Sequence, residues 1–137
     1  MALLDCIEGS PRALYEAYEN LRASYGSRHS SWDQTATMML ALLPKLEALF
    51  AQREVWGLVS HHRLYFLSLR DYRGRRHASV STDSNGYTIS HLAPFDDAEI
   101  WETVGTEAEA IVRLAAAVEG SEGWHPDRRW PDPGSPP

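Results

Sequence analysis

A chain of 137 residues with 43% hydrophobic and 23% charged residues can bury one core and is too apolar to stay unfolded, so a single folded domain is expected. A formal net charge of −6 opposes nonspecific attraction to phosphate backbones or anionic lipid and favours a basic partner. Cys6 is the sole cysteine, which excludes an intramolecular disulfide, suits a reducing compartment and makes a cytoplasmic location the expectation.

Near the start, Leu3, Leu4 and Ile7 are interrupted by Asp5 and Glu8 with no basic residue ahead of them, unlike a secretory signal. No apolar run approaches the roughly 20 residues that span a bilayer, so no membrane association is expected. Ser10 before Pro11 has the order of an N-cap and first helical residue, and Leu14, Tyr18, Leu21 and Tyr25 follow at helical spacing up to Gly26. Ser31 and Gln34 can form a capping box for a second helix with Met39, Leu42, Leu46, Leu49 and Phe50 on one stripe. Pro44 falls inside it, where its ring would press on the Leu40 carbonyl, so a kink or a break into two shorter helices is predicted.

From Val55 the hydrophobic period shifts towards two, and β-branched and aromatic residues (Val55, Trp56, Val59, Tyr65, Phe66) accumulate. Turns are predicted at His61-His62, at Asp71 to Gly74 and at Asp83 to Gly86, the last with the strongest turn chemistry. Three hairpins in succession make an antiparallel meander. A four-residue third loop sets Thr82 opposite Tyr87, Val80 opposite Ile89 and Ala78 opposite His91, leaving Ser79, Ser81, Thr88 and Ser90 on the other face. Carried back through a four-residue second loop, this register puts Tyr65 beside Val80 and Leu67 beside Ala78, with Trp56 and Leu58 on the same, core-facing side. The other side then collects Val55, Val59, Leu64 and Phe66. A patch of that kind requires a cover, supplied by the N-terminal helices, a second copy of the chain or a partner.

Ile100 to Val104 is read as a fifth strand, and Thr106 with Glu109 as a capping box for a last helix bearing Ile111, Leu114, Ala115 and Val118, ended by Gly120. Residues 121–137, rich in proline and glycine, form a poorly ordered tail, although Trp124 and Trp130 give it the means to dock on the body. The fold expected is thus α+β: two N-terminal helices, an antiparallel meander of four to five strands, and one C-terminal helix packed on the sheet, in a single domain over residues 1–120.

Motifs that carry chemistry are absent. There is no phosphate-binding glycine loop, no GxSxG elbow and no HExxH, and a lone cysteine cannot build a structural zinc site, so neither metal nor cofactor is expected. His61 and His62 would point apart if extended, and His77 is expected on the face opposite His91. Charge is the stronger pattern. Arg53, Arg63, Arg70, Arg73, Arg75 and Arg76 crowd one segment, whereas residues 96–109 hold six acids and no lysine or arginine. Such polarity suits steering of a charged partner. The acidic segment, with Asp96, Asp97, Glu99 and Glu102, would occupy a basic cleft, and Leu64 and Phe66 would add apolar contact.

In size, acidity, single domain and helix, meander, helix order, residues 10–119 resemble the small immunity proteins that neutralise bacterial polymorphic toxins. The resemblance lies in architecture and composition, and no residue role comes with it. It implies a non-enzymatic protein of bacterial origin that binds and blocks a toxin domain. The alternative is a small enzyme or ligand-binding domain with Trp56, Tyr65, His91 and Trp101 lining a pocket between sheet and helices. Nucleic-acid binding through Arg70 to Arg76 is opposed by the net charge and by the lack of a recognition module.

Overall fold

The computed structural model describes residues 3–25, 30–71, 73–93 and 98–121. Its elements in chain order are β1 (Leu3–Asp5), α1 (Pro11–Tyr25), α2 (Ser30–Leu49), β2 (Val55–Ser60), β3 (Arg63–Leu67), β4 (Ala78–Asp83), β5 (Gly86–Leu92), β6 (Glu99–Gly105) and α3 (Glu107–Glu119). The class is α+β with three helices, as expected. The sheet is larger than expected and mixed: six strands in sequential order, with β1 parallel to β2 and every other pair antiparallel.

Two helix caps form where the sequence places them, whereas Ser31, predicted to open α2 with Gln34, lies inside that helix, which begins at Ser30. Arg12 N–H donates to Ser10 Oγ at 3.0 Å, which caps α1 one residue before Pro11. Thr106 and Glu109 make both arms of a capping box at the start of α3. Thr106→Ala is expected to lower unfolding free energy by about 1 kcal/mol, measured by urea denaturation. Helix α2 runs through Pro44 as one helix, so of the predicted kink or break, the break into two helices does not occur. Pro44 is exposed while Met39, Leu42, Leu43 and Leu46 are buried, so the missing N–H falls on the solvent side.

Strand β1 carries no period of its own. Three residues are too few to display one, and they pair because α1 and α2 return the chain as β2 alongside, with Leu3 against Val55 and Asp5 against Gly57. The Asp5 carboxylate then accepts from Ile7 and Glu8 N–H at 3.0 and 2.7 Å and turns the chain into α1.

One layer of helices covers one face of the sheet. α1 lies on β1 and β2, α2 on β4, and α3 on β4, β5 and β6. The core between the layers joins Leu14, Tyr18, Met39, Leu42, Leu46 and Phe50 to Leu3, Val55, Leu64, Phe66, Val80 and Ile89. The β4–β5 register is as predicted, down to Ala78 opposite His91. Gly86 closes that hairpin at φ 125°, and a Cβ there would lie 2.6 Å from Gly105 O, so only glycine fits.

The β3–β4 register differs from the prediction by one residue. Leu64 faces Val80 and Phe66 faces Ala78, where Tyr65 and Leu67 were expected. A turn does form at Asp71 to Gly74, with Gly74 N–H donating to Asp71 O at 2.8 Å. However, β3 stops at Leu67 and β4 starts only at Ala78, and His77 N–H donates to Phe66 O although Phe66 is paired with Ala78. An odd step enters the connection, and with a two-residue period one step exchanges the faces of both β2 and β3. Val55, Leu64 and Phe66 therefore face the helices. Trp56, Leu58 and Leu67, with Leu4, Cys6 and Tyr65, form a second apolar cluster on the opposite side, where no described helix packs.

Candidate interaction surfaces

The residues predicted to form a site are distributed over both sides of the sheet. Leu64 and Phe66 are fully buried beneath the helices, Phe66 with its ring 5.7 Å from that of Phe50, so they are core and not partner-facing surface. The proposed aromatic pocket does not assemble. Trp56 and Tyr65 belong to the helix-free side, whereas His91 and Trp101 pair edge to face at 5.6 Å on the helix side. The same one-residue shift accounts for both outcomes. Asp96 and Asp97 lie outside the described residues, as do Gly26, Trp124 and Trp130.

Glu99 and Glu102 stand exposed on β6, the last strand of the described sheet. A hydrogen bond that the protonated Glu102 carboxyl can donate to Glu99, with some burial and the Glu99 charge, raises the Glu102 pKa above its ordinary value, while Arg63 pulls it down. Two carboxyls thus share a strand edge without a close cation among the described ion pairs. Ile100 and Val104, on the same strand, are 56% and 51% exposed. Exposed apolar side chains alternating with acids along an edge of the described sheet make a surface able to accept another strand.

The arginine-rich segment is largely occupied within the molecule. Arg70 lies over the Trp56 ring at 5.5 Å and donates to the carbonyls of Cys6 and Ile7 at 3.1 and 3.0 Å. Arg76 lies over Tyr65 at 4.4 Å, and Arg53 pairs with Glu119 at 3.7 Å. Cation–π contact and carbonyl binding account for these guanidinium groups better than display to a partner.

His77 and His91 are not on opposite faces. His77 sits at the irregular start of β4 and turns to the helix side, where Nε2 lies 3.0 Å from Ser68 Oγ and Nδ1 2.5 Å from Ser121 Oγ. Ser121, assigned by sequence to the tail, is buried and belongs to the body. Burial, followed by the charges of Arg75 and His91, holds His77 down to about 3. An imidazole so weakly basic, with both nitrogens engaged by hydroxyls, joins β3, β4 and the end of α3 and is a poor general base.

A feature not recognised in the sequence lies at the other end of the sheet. The His61-His62 turn closes the β2–β3 hairpin with φ values of 51° and 67°, the type I′ pattern that usually selects Asn-Gly. It borders a cleft of about 390 Å³ between the start of α2 and the β4–β5 hairpin, with Trp32, Gln34 and Thr35 on one wall and Thr82 and Asp83 on another. The signal was present in the sequence, as two histidines where a tight turn favours Asn-Gly, but the wall that completes the cleft comes from a distant helix.

Among the described residues no group of three or more His, Cys, Asp or Glu is arranged to hold a metal ion, and no helix is long and apolar enough to cross a membrane. No protein-family model, curated protein or solved structure matches the chain.

Proposed function

We propose that the chain is a non-enzymatic protein-binding domain, of the kind represented by bacterial immunity and inhibitor proteins, whose acidic β6 edge covers a basic surface of its partner. The observation that carries this reading is the edge itself: seven residues, Glu99–Gly105, with exposed Ile100 and Val104 and the neighbouring carboxyls of Glu99 and Glu102, whose interaction raises the Glu102 pKa. An unpaired strand offers main-chain donors and acceptors to an extended segment, and its side chains select which segment binds. Antiparallel self-pairing centred on the strand would set Glu102 against its own copy, a like-charge pair that destabilises a homodimer through this edge. A segment carrying lysine or arginine would instead relieve the crowding of the two carboxyls. The enzyme or small-molecule reading that needed Trp56, Tyr65, His91 and Trp101 in one pocket has no support from their placement.

The test is affinity capture with the full chain, followed by titration of the recovered partner. One stoichiometric protein is expected, with association slowing as salt rises. Glu99→Lys with Glu102→Lys should weaken binding by about 100-fold, because each reversal sets like charges together. Glu16→Lys with Glu19→Lys, on the exposed side of α1, should leave it unchanged. Equal binding by all three proteins would refute the proposed surface.

A further inference from the structure

The cleft beside the His61-His62 turn is built from elements other than β6. Its turn is strained, because a side chain costs energy at positive φ and both central residues carry one. Strain of this kind persists only where the surroundings enforce it. Here the buried Tyr18 hydroxyl donates to His62 O at 3.0 Å, and the Trp32 ring lies against the His62 ring at 5.7 Å. The turn is therefore held in shape by the core before any ligand arrives.

The described lining combines a larger apolar surface with polar side chains, and none of its described residues is lysine or arginine. Ser31, Gln34, Thr35 and Asp83 bring polar side chains to the cleft beside the Trp32 indole. Asp83 Oδ1 accepts from Asn85 N–H at 2.7 Å, which fixes the carboxylate and directs Oδ2 elsewhere. A phosphate or carboxylate ligand would find no guanidinium or ammonium among the described lining residues and would meet the Asp83 charge. An apolar ligand would leave the hydroxyls and the amide desolvated and unpaired. A sugar ring meets both demands, since its C–H face can lie on an indole while its hydroxyls donate and accept along the rim.

We propose that this cleft binds a neutral saccharide of one or two rings, a size that suits about 390 Å³. The strained histidine turn forms its rim and the α2 residues its wall. The site does not depend on the β6 reading, so either can fail alone.

Saturation-transfer NMR on the full chain, with glucose, galactose, mannose, N-acetylglucosamine and maltose each at tens of millimolar, tests the proposal. At least one sugar should give transfer beyond that from an unrelated protein at equal concentration. Gln34→Ala, at an exposed helix position, should weaken it about tenfold, as expected for a lost ligand hydrogen bond. His61→Asn with His62→Gly should raise the melting temperature by about 2–4 °C while abolishing transfer, which separates loss of the site from loss of the fold. Silence of every sugar, or transfer that survives both variants, would overturn the proposal. So would inorganic phosphate shifting the His61 and His62 ring signals where no sugar does.

Discussion

Phe66→Ala is expected to lower the unfolding free energy by about 3–5 kcal/mol, and Tyr65→Ala, one residue away, by about 1–2 kcal/mol. Phe66 is fully buried, contacts Phe50 and lies over the β3–β4 pair, so truncation leaves a cavity roofed by rigid helices. Tyr65 is half-buried on the helix-free side, where its main partner is the Arg76 guanidinium. Urea denaturation of the two variants measures the difference directly. The four-residue loop predicted from sequence reverses the order, because it sends Tyr65 into the core and Phe66 outward. A loss for Tyr65→Ala equal to or above that for Phe66→Ala would show that the shifted register is wrong.

Acid is expected to destabilise the protein through His77. The folded state holds this imidazole neutral, with its pKa lowered to about 3 chiefly by burial, then by Arg75 and His91. An unfolded chain takes up the proton near pH 6.5, so below that value the unfolded state binds more protons and stability falls with pH. The contribution is complete above pH 6.5 and is lost progressively down to pH 3, amounting to about 4 kcal/mol over the window. His91, whose pKa is also lowered by burial and by Arg75, adds in the same direction. His77→Gln should cost about 1–2 kcal/mol at neutral pH through a lost hydrogen bond, yet have the flatter pH dependence. The stability curves of the two proteins should therefore cross at about pH 5. Parallel curves would mean that His77 titrates alike in both states.

What could be read from the sequence was local. Ser10 with Pro11, and Thr106 with Glu109, satisfy helix-end donors within a few residues, and the structure places both caps as expected. Asp83 to Gly86 fixes the β4–β5 register because the hairpin brings its own partners together through a short turn. The buried stripe of α2 was equally clear, since a helical face is set by spacing alone.

The remainder depended on contacts between distant segments. β1 exists because a returning strand lies beside it, and Leu3 to Asp5 contain nothing that distinguishes a strand from a loop. The faces of β2 and β3 were set by the length and irregularity of a connection whose only clear local mark is the turn at Asp71 to Gly74. That single step moved Leu64 and Phe66 into the core, separated Trp56 and Tyr65 from His91 and Trp101, and brought Arg70 and Arg76 onto aromatic rings.

The sequence by itself determined the class of fold, the three helices, the best hairpin and the acidic character of the last strand. These follow from spacing, capping and charge, which act over a few residues. Only the tertiary structure decided which face of the sheet is core, that β6 is an edge bearing paired carboxylates, and that a strained histidine turn borders a cleft. Alternating side chains specify two faces but not which is buried, and that choice is made by how the helices return over the sheet.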